Sequence, residues 1–162
     1  SKLGRGTTFT VDLPFVINRT PEAAEAPADA EECDICGMSI LLVEDNELNT
    51  EIAQTLLEND GALVTTAADG KEALELFRTK PAGTFDAILM DVMMPEMNGY
   101  EATRAIRLCD KPDAADVPII AMTANAFIED VARAKESGMN DHLSKPIEIE
   151  KLKKTLAKYR VR

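Results

Sequence analysis

Glu44, Asp45, Asp91, Thr123 and Lys145 are the side chains in this sequence suited to chemistry on a phosphoryl group: three carboxylates, a hydroxyl and an ammonium. Brought into one crevice, the acids would repel one another unless a cation sat among them. A hard divalent ion, Mg²⁺ (or Mn²⁺), suits such a set because it takes oxygen ligands and shares phosphate oxygens. With the charge offset, one carboxylate can attack phosphorus and form an acyl phosphate. The metal and Lys145 would then stabilise the equatorial oxygens, and Thr123 could hydrogen-bond one of them. Taken singly, each residue has an ordinary explanation: Glu44-Asp45-Asn46 as helix caps, Asp91 as a turn residue, Lys145 as a solvated charge. The chemistry depends on a fold that gathers them.

The elements around these residues supply such a fold. Ile40-Leu41-Leu42-Val43 is a continuous apolar run ending in Glu44-Asp45, the pattern of a strand buried on both faces. Leu48, Ile52, Leu56 and Leu57 then recur at helical spacing, and Gly61 stands where the C′ residue would end the helix. Residues 62–66 read as a second strand, and Asp69 as the cap of a helix with Ala73, Leu74 and Phe77 on its buried stripe. The alternation continues: strand 87–90, helix 100–109, strand 118–122, helix 125–137 closed by Gly138, a short strand at His142-Leu143, and a helix carrying Ile149, Leu152, Leu156 and Tyr159. Five βα units imply right-handed crossovers onto a parallel sheet with helices on both faces. In such α/β sheets ligands bind beyond the carboxyl ends of the strands, where the strand order reverses. Asp91 and Thr123 close the third and fourth strands, and Lys145 follows the fifth.

Composition narrows the function. The chain has 162 residues, 45% hydrophobic but with no Trp and 4% aromatic residues, so aliphatic side chains must build the core. A net charge of -11 argues against a protein that grips nucleic-acid phosphates. No apolar run reaches the length of a membrane span and no export signal is visible, so a cytoplasmic, membrane-free piece is expected, with room for an anchor upstream. The odd count of cysteines, Cys33, Cys36 and Cys109, does not make a disulfide framework. Cys33-Asp-Ile-Cys36 would need two more ligands to hold zinc, and the single histidine, His142, lies far along the chain. Residues 17–38, with Pro21, Pro27, alanines and six acids, have the composition of an extended linker, which places the folded domain at 39–162. Met90, Met93, Met94 and Met97 are read as adaptable packing around a loop.

The segments Leu41-Leu42-Val43-Glu44-Asp45-Asn46, Asp91-Val92-Met93-Met94-Pro95-Glu96-Met97-Asn98-Gly99, Met122-Thr123-Ala124 and Ser144-Lys145-Pro146 together resemble the response-regulator receiver family. The resemblance implies a flavodoxin-like doubly wound five-stranded sheet of order 2-1-3-4-5. It implies Asp91 as phosphoacceptor, and Glu44, Asp45, Asp91 and the Met93 backbone carbonyl as Mg²⁺ ligands. Thr123 and Lys145 become the partners of the phosphoryl oxygens, while the Met93 and Asn125 side chains flank the site. The fifth-strand position that holds Phe or Tyr in many receivers, and rotates inward on phosphorylation, is His142 here. Imidazole is smaller and titratable, so a structural role is the first expectation for it.

Gly4-Arg5-Gly6-Thr7-Thr8-Phe9-Thr10-Val11-Asp12-Leu13-Pro14 looks like the last glycine-rich box and final strand of a histidine-kinase ATP-binding domain, which makes residues 1–16 a remnant of one. The parent would be a hybrid sensor histidine kinase. The expected partners are an upstream dimerisation domain bearing the phosphohistidine and a downstream histidine-phosphotransfer domain. The piece itself would have no kinase activity, and at most self-phosphorylation and autodephosphorylation. Two rival readings remain. An aspartyl phosphatase of the haloacid-dehalogenase type would need a second acid where Met93 stands, and a receiver-shaped module could work through its surface without phosphate.

Overall fold

The structure, a computed structural model, describes residues 35–124 and 128–160, and the side chains of all of these but 128–130. The expected remnant at 1–16, Cys33 and Asn125 lie outside the described residues.

Strands and helices alternate: β1 (Ser39–Val43), α1 (Glu47–Asn59), β2 (Leu63–Ala67), α2 (Gly70–Thr79), β3 (Ala87–Asp91), α3 (Gly99–Arg107), β4 (Ile119–Thr123), α4 (Ile128–Ser137), β5 (Asp141–Ser144) and α5 (Ile149–Ala157). The five strands form one parallel sheet of order β2-β1-β3-β4-β5. The strand order therefore reverses between β1 and β3.

Alternation along each strand divides the core into two layers. Leu41, Val43, Ile88, Met90, Ile119 and Ala121 point to one face, where Ala73 and Phe77 of α2, Ala102 and Ile106 of α3 and Ala134 of α4 cover them. Ile40, Leu42, Leu89, Ile120 and Met122 point to the other, beneath Ala53 and Leu57 of α1 and Leu152 and Leu156 of α5. Burial on both faces is why β1, β3 and β4 read as unbroken apolar runs, whereas the edge strand β2 carries Thr65 and Thr66.

Caps set the helix starts beside the strand ends. Asn46 Oδ1 accepts from Asn49 N, Asp69 Oδ1 accepts from Lys71 N and Glu72 N, and Asn98 forms a capping box with Glu101. Gly61, at φ 80°, is the left-handed residue that follows the Asp60 cap at the end of α1.

Two features differ from the sequence reading. The domain starts before Ser39: Ile35 and Met38 are buried among Ile40, Leu42 and Leu57, and Gly37 N donates to Gly61 O at 2.8 Å. Residues 35–38 thus belong to the folded unit and not to the linker, because Ile35 and Met38 anchor the apolar end of an otherwise acidic stretch. The apolar residues of α1 also divide. Leu57 is buried, but Leu48 is 64% and Ile52 52% exposed.

Candidate functional site

The carboxyl ends of β1 and β3, at the reversal point, carry the acids. Glu44 follows β1 directly and Asp91 is the last residue of β3, and both are almost fully buried, at 3% and 4% exposure. Asp45 is exposed at the rim. Ligand oxygens of Glu44, Asp45 and Asp91 all lie within 4.8 Å of one another.

Lys145 reaches into this group from the turn after β5. Its Nζ donates to Glu44 Oε2 at 2.5 Å and to Asp91 Oδ2 at 2.6 Å. The remaining oxygen of each buried acid also has a donor: Asn49 Nδ2 bonds Glu44 Oε1 at 2.8 Å, and Met93 N bonds Asp91 Oδ1 at 3.0 Å. Lys145 is itself placed by the sheet, since its N–H donates to Thr123 O at 2.8 Å.

Burial raises the Asp91 carboxyl above its ordinary value, although bonds from Lys145 and the Met93 amide pull the other way. Burial alone would lower Lys145, but its bonds to Asp91 and Glu44 outweigh that and raise it. The two directions are compatible. Lys145 has two anionic partners, while Asp91 is desolvated and shares its one cation with Glu44.

Three carboxylates against one ammonium leave a net negative crevice built from hard oxygen donors. That set fits Mg²⁺, and a second charge beside Lys145 would relieve the repulsion that burial amplifies.

The other expected residues fall as follows. Thr123 ends β4 and is buried, one position beyond Met122, the β4 residue paired with Asp91. Met93 directs its amide to Asp91, while its side chain is 74% exposed beside the site. His142 pairs with Ala121 across β4 and β5 and is half-buried, with Nδ1 3.9 Å from Asp141 Oδ1. It lines a hollow with Val131, Ala134, Lys135 and Met139.

Sequence reasoning missed Asn49 and Thr50. The Thr50 hydroxyl donates to Glu44 O at 3.4 Å, so two consecutive α1 residues hold the β1 end. A short amide one turn inside a helix that starts beside the acids was the available signal. It also missed Gly99, whose missing side chain lets α3 start against the Asp91 carbonyl.

An apolar groove adjoins the crevice, lined by Ile52, Ala53, Leu56, Pro146 and Ile147 and sharing Glu44, Asn49 and Lys145 with it. No helix among the described residues is long and apolar enough to cross a membrane.

Sheet order and site define a doubly wound α/β protein with an acid-lysine crevice at its switch point. The chain belongs to the response regulator receiver domain family, whose pattern matches residues 40–157. It is a receiver domain of two-component systems, homologous to those of hybrid histidine kinases. The aerobic respiration control sensor protein ArcB of Escherichia coli is 36% identical over 163 residues, 98% of this chain and 20% of ArcB. Hybrid signal transduction histidine kinase I of Dictyostelium discoideum is 41% identical over 67% of this chain and 6% of its own length. The chain thus spans a fifth or less of these relatives. Among solved structures, the receiver domain of sensor histidine kinase PA1611 from Pseudomonas aeruginosa, with magnesium in its active site cleft, is 40% identical at a TM-score of 0.68, covering 76% of this chain and 98% of that one. The receiver domain of Ssk1 from Saccharomyces cerevisiae, crystallised with the histidine phosphotransfer protein Ypd1, is 28% identical at a TM-score of 0.67, covering 77% and 90%.

Proposed function

We propose that Asp91 is the phosphoacceptor of a two-component phosphorelay, taking a phosphoryl group from a phosphohistidine and passing it on or switching a partner-binding surface. The observation that carries this reading is Lys145 bridging Asp91 and Glu44 inside a cluster of three carboxylates at the strand ends.

In the transfer, an Asp91 oxygen forms a bond to phosphorus as the phosphorus–nitrogen bond breaks. The electron pair stays on the imidazole, which takes a proton from water, and the product is an acyl phosphate. Glu44, Asp45 and Asp91, with the Met93 carbonyl, would hold Mg²⁺ or Mn²⁺, which offsets charge on the phosphoryl oxygens. The Met93 amide bonds one Asp91 oxygen, and Lys145, which bonds the other, would exchange a carboxylate oxygen for a phosphoryl oxygen. Thr123 would take another. Positioning and charge are what this reaction asks of a protein.

The groove along α1 supports a partner that presents an apolar helix beside its histidine, as a histidine-phosphotransfer or kinase dimerisation domain would. Ile52 exposes apolar surface in the groove, and Met93, whose amide bonds Asp91, exposes its side chain beside the crevice. The alignment to ArcB over 98% of this chain supports reading residues 1–16 as the end of a kinase ATP-binding domain and the parent as a hybrid kinase. A cytoplasmic location goes with that reading, and Cys36 and Cys109 are free thiols.

Intact mass after incubation with acetyl phosphate and Mg²⁺ tests the proposal. One added phosphoryl group, labile to hydroxylamine, dependent on Mg²⁺ and absent from Asp91→Asn, is the expected result. No gain by the native chain would favour the phosphate-independent module instead.

A further inference from the structure

Glu44 is a buried acid with two different kinds of support. Lys145 holds Oε2 with a charge, whereas Asn49 holds Oε1 with a neutral amide at 2.8 Å. The two donors have different futures in the reaction. Lys145 also bonds Asp91 and is the cation an arriving phosphoryl group would attract, so its bond to Glu44 is the one to be given up. The Asn49 amide is uncharged and sits on a helix whose start is fixed independently, by Asn46 Oδ1 accepting from Asn49 N.

We propose that Asn49 is a positioning residue: its side-chain amide fixes the Glu44 carboxylate and thereby sets the affinity of the acid crevice for a divalent cation. The inference rests on the phosphoacceptor reading for its place in the reaction, but its primary consequence is cation affinity.

The argument is one of pre-organisation. A carboxylate that must turn an oxygen to a metal loses less rotational freedom if its other oxygen is already held. Ligands fixed by such partners bind metal more tightly, and losing the partner commonly weakens binding tenfold or more. A purely structural role for the Asn49 side chain is hard to sustain. Ala is the better helix former, the cap uses the Asn49 backbone, and the residue is exposed.

The test is calorimetric titration of Mg²⁺ into the native chain, Asn49→Ala, Asn49→Gln and the control Thr55→Ala, which changes an exposed residue on the same helix. The rate of phosphoryl uptake from acetyl phosphate is followed in parallel as Mg²⁺ is varied. Asn49→Ala should weaken Mg²⁺ binding about tenfold and move half-maximal uptake to correspondingly higher Mg²⁺, with the rate at saturating Mg²⁺ retained. Asn49→Gln should recover part of the affinity, and Thr55→Ala should match the native chain. Unchanged Mg²⁺ affinity in Asn49→Ala would overturn the inference. So would a loss of rate that saturating Mg²⁺ does not restore, or a native chain that binds no Mg²⁺. Should Asn49→Ala fail to fold, Asn49→Gln binding Mg²⁺ as the native chain does would overturn it equally. A native chain that binds Mg²⁺ but takes up no phosphoryl group would sink the phosphoacceptor reading alone, leaving the calorimetric comparison to decide about Asn49.

Discussion

Gly99→Ala isolates the steric basis of the site. Gly99 opens α3, and its N–H donates to Val92 O at 3.1 Å. A Cβ there would lie 2.2 Å from the Asp91 carbonyl oxygen, 3.0 Å from its carbonyl carbon and 3.0 Å from Met90 Cγ. A carbon and a carbonyl oxygen need roughly 1 Å more than that first distance. The carbonyl cannot yield easily, because β3 lies between β1 and β4 and is buried throughout. The start of α3 must move instead, against its own buried Ala102, Thr103 and Ile106. Overpacking against a backbone that no rotamer change can clear should cost about 3 kcal/mol. That lowers the melting temperature by roughly 10 °C for a domain of this size. A displacement of about 1 Å at the proposed phosphoacceptor carboxylate should also slow phosphoryl uptake on the order of 100-fold. Thermal unfolding by circular dichroism and the acetyl phosphate mass assay read the two effects. Gly83→Ala is the control: φ is +73° but nothing lies within 4 Å of the new Cβ, so it should lose about 1 kcal/mol and no phosphoryl uptake. If Gly99→Ala melts within about 2 °C of the native chain, the contact is not the constraint described and the argument fails.

Three further outcomes follow from the charges and the groove. Lys145→Ala leaves Glu44 and Asp91 buried together without their shared cation, which should cost about 3 kcal/mol, and Mg²⁺ should restore part of the loss; melting curves that ignore Mg²⁺ would refute this. The raised Asp91 carboxyl means the folded state binds its proton more tightly than the unfolded chain, so this group's stabilising contribution is full at low pH and is lost as pH rises through the folded value. Asp91→Asn should therefore melt higher than the native chain at neutral pH and converge with it toward pH about 3, near and below the free carboxylate range; a difference independent of pH would count against it. Ile52→Ser should slow transfer from a histidine-phosphotransfer domain about tenfold while leaving uptake from acetyl phosphate intact, and equal loss with both donors would remove the groove from recognition.

The strand ends were legible because their signals are local. A buried parallel strand must be apolar throughout, so the polar residue that ends it stands out: Glu44 after Val43, Asp91 after Met90, Thr123 after Met122. Placing them together needed the sheet order, which the alternation of elements restricts and the motif resemblance completes. Interactions that cross elements were invisible. The Arg107 guanidinium bonds Gly138 O, Ala114 O, Val117 O and Asn140 Oδ1, tying α3 to the segments around β4 and β5, yet in sequence it is one more charged residue near a helix end. Asn49 was missed for the same reason, since its partner is defined only once α1 lies across the end of β1.

The first helix shows where periodicity stops being informative. Leu48, Ile52 and Leu56 form one i, i+4 row, and Ala53 and Leu57 form a second about 100° away around the helix. Hydrophobic spacing identifies both rows and cannot say which faces the core. The structure buries the row with the small residue, Ala53, where a helix can lie close to the sheet. Ile52 and Leu56 of the bulkier row are left as one wall of a groove completed by Pro146 and Ile147. That choice has a chemical consequence, because Glu44 and Lys145 belong to the same groove. A partner that covers Ile52 and Leu56 also removes water from beside the charged bridge. In a drier site the attraction between Lys145 and an incoming phosphoryl group grows, as does the repulsion among the acids. On the proposed phosphorelay reading, recognition and transfer would be coupled through one surface, and a partner that docks there without bringing both phosphoryl charge and cation would bind less well than one that supplies them.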